Sequence, residues 1–306
     1  MSSPSVSKLS IDSAAPAGRF HKIAFIVLSA LFIFLAKSSW LRWGDPLVDF
    51  GRALYIPWRI LEGEVLYQDI VSYYGPLSYY LNALWFRIFG TSILTLALCN
   101  LALTGVVLWM IYRYFVRSVS AGTALLTGVI FLILFAFPNF GLIGGFNFIL
   151  PYSHEAVHGT FLSIAFINCL DIYITRKKAT ALMGAGLLFG CVIMTKPEIL
   201  VADLAVLIAA TGMVLLRGNF HLLKSVRTAT VFIVSAVLPL AGFGFYFSKW
   251  MPAHQAFESV FSGENGKSQD SWHPEPVAGI RKNTPRGRDC RSEGNFTQGF
   301  PKRKRA

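Results

Sequence analysis

Residues 93–112 read ILTLALCNLALTGVVLWMIY, twenty positions without a charged side chain, closed by Arg113. At a rise of about 1.5 Å per residue, such a run makes a helix about as long as a bilayer's hydrocarbon core is thick. It is apolar all round, so it lacks the stripe of a helix lying on a water-soluble core. It reads as a transmembrane helix. The pattern recurs in both directions from this stretch. Before it comes Ile23 to Ala36, extendable to Trp40 and Trp43. After it come segments near 120–137, 157–175, 179–195, 199–216 and 228–248. Seven spans are expected. The first is an uncleaved anchor, because Phe34 stands where a signal-peptide cut after Ala36 requires a small residue. Trp40 and Trp43 suit the interfacial aromatic belt.

Composition agrees. Of 306 residues 54% are hydrophobic. With glycine the apolar share is about 62%, against about 45–50% in soluble domains. Charged residues are 14%, where about 25% is usual. A water-soluble α/β enzyme and a disordered chain are both excluded. The net charge of +12 does not call for nucleic acid as a partner, because the cations between spans alternate by side. Arg113 and Arg117, then Arg176, Lys177 and Lys178, then Arg217, Lys224 and Arg227 fill every second loop. The intervening turns hold none between Pro138 and Val157, and Lys196 alone near the fifth and sixth spans. By the positive-inside rule the N-terminus is cytoplasmic. Cys99, Cys169 and Cys191 lie in apolar stretches and Cys290 in the tail, without CxxC spacing, so they read as inert thiols.

Three regions follow. Residues 1–19, rich in Ser, Ala and Pro, read as a disordered cytoplasmic N-terminus. Residues 20–262 form the all-α membrane domain. Residues 263–306 carry Val277 and Ile280 as their only Ile, Leu, Val or Met, with ten basic residues and five acidic ones. This basic tail is expected to be disordered, and its abrupt onset suggests a frameshifted or artificial end and a partial membrane domain, which leaves open whether the chain is active.

The long first outside loop, 42–92, has more pattern than a connector needs. Asp45-Pro46 is a helix start, with Asp as N-cap and Pro in the first turn. Leu47, Phe50, Leu54, Trp58 and Leu61 make an apolar stripe, and Asp45, Asp49, Arg52 and Arg59 share the opposite arc. Pro57 is placed to kink this helix and Gly63 to end it. A second helix is expected from Gly75-Pro76 to Gly90, with Leu77, Leu81, Leu84 and Ile88 along one side. A tyrosine-rich turn, Tyr67 to Tyr74, joins the two. Both helices are expected in the membrane interface, with carboxylates and guanidinium groups toward water.

Two later clusters face the same side. His154-Glu155-Ala156-Val157-His158 matches HExxH, which places two imidazoles on one helix face with a carboxylate as general base. A zinc site would need a third ligand, for which Asp171, Glu198 and Asp203 are candidates. Lys196-Pro197-Glu198 sets a cation and an acid at a helix start. Three polar clusters thus converge on one membrane surface.

The stretches Asp45 to Arg52, Trp58 to Asp69, Gly75-Pro76-Leu77 and Phe89-Gly90 resemble the first outside loop of the GT-C glycosyltransferases. The closest branch is that of the family 39 protein-mannosyltransferase-like and aminoarabinose-transferase-like enzymes. Pro151 to Gly159 and Thr195 to Glu198 resemble later parts of the same proteins. The resemblance implies a partial GT-C fold in a multi-pass protein of a bacterial inner membrane. It also implies a hexosyltransferase that moves a sugar from a polyprenyl-phosphate donor to an acceptor hydroxyl on a protein, lipid or glycan. An acid of the first loop would be the catalytic base: Asp49 by its distance from Gly63, then Asp45. Arg52, Arg59, Tyr73, Tyr74, Lys196 and Glu198 become candidate substrate contacts, and His154 and Glu155 candidate holders of phosphate or a divalent ion. Two other readings use the same residues: an intramembrane zinc metalloprotease built on His154, Glu155 and His158, and a transporter-like protein without enzymatic activity.

Overall fold

The computed structural model describes residues 17–44, 50–141, 144, 146–216 and 222–262. These are helical, with no strand among them and a single isolated bridge between Leu66 and Ile70. In order the helices are α1 (Ala17–Ser38), α2 (Gly51–Leu61), α3 (Leu77–Phe89), α4 (Ile93–Ser118), α5 (Ala121–Ile130), α6 (His154–Arg176), α7 (Ala179–Ile193), α8 (Pro197–Leu216), α9 (Leu222–Phe247) and α10 (Ala253–Ser262). A π-helical stretch, Phe131–Ala136, prolongs α5. Among the described residues, four helices are long and apolar enough to cross a membrane: Gly18–Ser38, Ile93–Ser118, His154–Arg176 and Ser225–Phe247. Ala121–Ala136 and Ala179–Ile193 are apolar but shorter.

Several helices turn apolar side chains outward and polar ones inward. On α3 the buried residues are Ser78, Tyr79, Asn82, Ala83 and Phe86, whereas Leu84 and Ile88 of the expected leucine stripe point outward, 47% and 56% exposed. On α4, Thr95, Asn100 and Thr104 are buried and Leu98 and Trp109 exposed. Lipid tails solvate leucine as well as a protein core does, so helices in a bilayer turn small and polar residues toward one another. The apolar stripe of α3 is therefore its outer face.

Helix α2 departs from expectation in two ways. It begins at Gly51, with Phe50 as N-cap, and the Asp45-Pro46 start signal lies in the undescribed stretch 45–49. Phe50 is 1% exposed, in a cluster that also holds Phe86, Leu96 and Leu150. The helix also has three faces where the sequence suggests two. Ala53, Ile56 and Pro57 are buried against protein, Trp58 and Leu61 face outward, and Arg52 and Arg59 occupy the third side. Gly63 ends it as expected, at φ +100°.

Small residues close the bundle. Gly186 and Gly190, four apart on α7, form a small-xxx-small seam against α9. A Cβ at Gly186 would stand 2.5 Å from the Phe232 carbonyl oxygen, and one at Gly190 2.1 Å from that of Ala236. Helix α10, which the apolar pattern does not announce, buries Ala256 and Val260 in a cluster with Phe247, Val65 and Ile70.

Candidate functional site

The site is built on the turn between α2 and α3. Asp69 accepts a hydrogen bond from the Val65 N–H at 2.8 Å, and the Tyr67 hydroxyl donates to the Tyr74 carbonyl at 2.7 Å. Tyr67 is left-handed, φ +70°, a conformation rare for an aromatic residue. It is held there by its hydroxyl bond and by its ring, which packs edge-on against Phe247 at 5.3 Å. Ser72 donates to the Tyr79 hydroxyl at 3.0 Å. The next bonds fasten the turn to the α7–α8 junction: Gly75 N–H to the Thr195 carbonyl and Leu77 N–H to that of Met194, both 3.2 Å. Gly75 is required by this approach, since a Cβ there would lie 2.3 Å from the Met194 carbonyl carbon.

Fastened in this way, Tyr74 stands between two cations. The Arg52 guanidinium lies 4.7 Å from its ring centroid and the Lys196 ammonium 5.8 Å, a distance at which cation–π attraction operates. Arg52 reaches Glu155 at 3.6 Å, and Lys196 reaches the exposed Glu198 at 3.4 Å. Glu155 is 2% exposed and also accepts from the Ser153 hydroxyl at 2.8 Å. Burial lowers the Arg52 pKa, but Glu155, Tyr79 and Tyr74 more than offset this, so the net direction is upward and the guanidinium stays charged. Burial, with the Glu155 carboxylate nearby, holds the Tyr79 hydroxyl well above the usual tyrosine range. Three helix starts meet here. Those of α3 and α8 are joined through backbone, and α6 approaches α8 at Gly159, where a Cβ would stand 2.9 Å from Thr195 Oγ1. Helix N-termini carry partial positive charge, which adds to that of the two side chains.

Beneath this edge the polarity continues inward. Asn100 of α4 pairs its Nδ2 with His154 Nδ1 at 3.2 Å and donates to the Ile149 carbonyl at 3.1 Å. Asn147 organises the turn before α6, accepting from the Ile149 and Leu150 N–H groups at 2.9 and 2.7 Å. His154, Glu155 and His158 are buried, with the two imidazole centroids 6.1 Å apart. Among the described residues, His154 Nε2 and both His158 nitrogens find no hydrogen-bond partner. Among the described residues no third His, Cys, Asp or Glu joins them in a metal-sized group.

The candidate residues thus separate. Arg52, Tyr74, Lys196, Glu198, His154 and Glu155 belong to connected contacts at one end of the bundle. Arg59 belongs to a local cluster, donating to Glu62 at 2.7 Å and to Glu64 through two nitrogens. Tyr73 is 58% exposed. Asp45 and Asp49 lie outside the described residues. The later acids do not meet: Asp171 pairs with Arg117 at 3.4 Å, and Asp203 accepts from Ser163 at 2.9 Å. Sequence reasoning missed Tyr79, Ser72, Ser153 and Asn100. Only Asn100 carries a usable signal, as a lone amide within an apolar span. Comparison of the chain with protein-family models, with curated proteins and with solved structures gives no match.

Proposed function

We propose that the protein is a membrane glycosyltransferase of GT-C type. It would cross the membrane seven times with its N-terminus in the cytoplasm of a bacterium. It would use a polyprenyl-phosphate-linked sugar on the outer surface of the inner membrane. The observation that carries this reading is the pair of cations, Arg52 and Lys196, flanking Tyr74 where three helix starts meet beside apolar helices. A lipid phosphate needs that combination: positive charge and N–H dipoles for the headgroup, lipid contact for the tail.

In this reading the acceptor oxygen attacks the anomeric carbon while Asp49 takes its proton. The bond from that carbon to the phosphate oxygen breaks, and polyprenyl phosphate leaves with the electron pair. General-base assistance is worth about 10²–10⁴ in rate. Arg52 and Lys196 stabilise the charge that grows on the phosphate. Glu155 keeps Arg52 aimed when no donor is bound. Asp49 is assigned from its spacing to Gly63 and the family resemblance, with Asp45 next in line. Arg59, engaged with Glu62 and Glu64, is given no part.

The test is transfer from radiolabelled polyprenyl-phosphate hexoses by the full chain in lipid nanodiscs. Arg52→Gln and Lys196→Gln are each expected to lower kcat/KM at least tenfold. No transfer from any such donor, with zinc-dependent peptide cleavage lost in His158→Ala, would replace this reading with the metalloprotease.

A further inference from the structure

A groove of about 290 Å³ runs between α1 and α4, lined by Phe25, Ser29 and Ile33 from one helix and Gly105, Trp109 and Tyr112 from the other. Its floor is where Leu28 and Leu108 both meet α5, since a Cβ on Gly128 would stand 3.0 and 3.3 Å from them. One end is tied across by His21 Nδ1 and the Tyr112 hydroxyl, 2.9 Å apart. From Phe25 to Ile33 the groove runs about 12 Å along the helix axis. That is close to the depth of one leaflet, half of a hydrocarbon core about 30 Å thick. We propose that this groove holds an acyl chain of an anionic phospholipid, with the headgroup at the Lys22 and Arg113 end. The inference stands apart from the transferase reading and needs only that α1 and α4 cross the membrane.

Charge selects the occupant. Lys22 precedes Phe25 by three residues and Arg113 follows Trp109 by four, so each cation extends one wall of the groove by a turn. The Arg113 guanidinium lies 5.9 Å from the centroid of the Trp109 ring. Neither cation is neutralised by an acid. Helices α1 and α4 contain no Asp or Glu, and among the described residues neither Lys22 nor Arg113 forms an ion pair. Arg117, one turn further along α4, is by contrast held by Asp171 at 3.4 Å. Two unpaired cations at the mouth of a leaflet-deep apolar groove call for a ligand with a net negative head and an alkyl tail. A zwitterionic lipid brings its own ammonium and satisfies them less well. Each cation at the membrane surface is expected to supply roughly a fivefold preference for an anionic lipid.

Trp109 supplies the test, because bromine on a lipid chain quenches a tryptophan it touches. The full chain is reconstituted in vesicles of dioleoyl phosphatidylcholine containing increasing shares of dioleoyl phosphatidylglycerol brominated at mid-chain. The part of the quenching that is lost in Trp109→Phe reports the groove. Half of that part is expected at a share of the brominated lipid at least fivefold lower than when the label is moved to phosphatidylcholine. Lys22→Gln, which leaves the groove itself intact, is expected to reduce this preference at least threefold. A Cβ on Gly105 meets nothing within 4 Å, so Gly105→Leu fills the groove without displacing a neighbour and is expected to abolish the preference. Quenching that follows the bulk lipid composition would overturn the proposal, as would a preference unchanged in either variant. Crosslinking between two copies through Ser29→Cys, in a chain whose own cysteines are serine, would also overturn it if Gly105→Leu removed the crosslink. The groove would then belong to a second copy of the chain. None of these readouts uses sugar transfer, so this proposal and the transferase reading fail separately.

Discussion

Asp49 and Asp45 are separated chemically by what an amide can replace. If Asp49 is the base, Asp49→Asn keeps shape and hydrogen bonding but removes basicity. Transfer should fall about 10²–10⁴-fold with membrane insertion unchanged. Asp45→Asn should matter far less, since asparagine caps a helix as well as aspartate does. Full transfer by Asp49→Asn would remove it from the mechanism. Tyr79 gives a second prediction at this scale. Its pKa is raised in the folded protein, so folding holds a proton that the unfolded chain releases above pH 10, the ordinary tyrosine value. The stability tied to Tyr79 is complete below pH 10 and declines as pH rises past it. Tyr79→Phe should flatten that decline, measured as thermal unfolding in detergent from pH 8 to 11. An unchanged slope would mean that Tyr79 ionises freely in the folded state. Arg59 shows how a spacing argument fails locally. Its angular position matches that of Arg52, yet Glu62 and Glu64, just past the helix end, engage it first.

Helices differ in how far their chemistry is local. The ends of α3 were legible, because Pro76 has a fixed φ and Gly90 takes φ +88°, and both needs are written in residue type. Its inward face was not legible. In lipid a leucine stripe marks the outside, in water the inside, and the periodicity is the same in either solvent. Phe50, the N-cap of α2, is buried in one cluster with Phe86 and Leu150, residues that no local pattern brings together. The seam on α7, Gly186 to Gly190, went unread in the sequence, since its meaning depends on the partner helix α9. Gly190→Ala places a methyl against the Ala236 carbonyl and should destabilise by about 1–3 kcal/mol, as overpacking does. Gly212→Ala, on α8, meets nothing within 4 Å and should be neutral or stabilising by up to about 1 kcal/mol, as helix propensity favours. Thermal unfolding of the two variants side by side checks the contrast. Equal stability would mean that the α7–α9 contact yields freely.

For the whole molecule the decisive quantity is which side each loop occupies. Reporter fusions after Arg117, Lys178 and Lys224 should report cytoplasm, and fusions at Tyr73 and Asn147 the outside. A cytoplasmic signal at Tyr73 would put the Tyr74 cluster on the wrong surface for an outward-facing transferase. The candidate site was legible in kind, as cations and aromatics at one surface, but its assembly was not. It joins the first loop to a junction far along the chain through Gly75 and Leu77. That bridge bears on biosynthesis. Residue 75 leaves the ribosome roughly 120 residues before residue 195, a delay of about 6–24 s at usual elongation rates. Through that interval the loop waits with its acceptors on Thr195 and Met194 not yet made. An insertion chaperone or protease has those seconds in which to find it, and slowing translation between the two segments would lengthen the exposure.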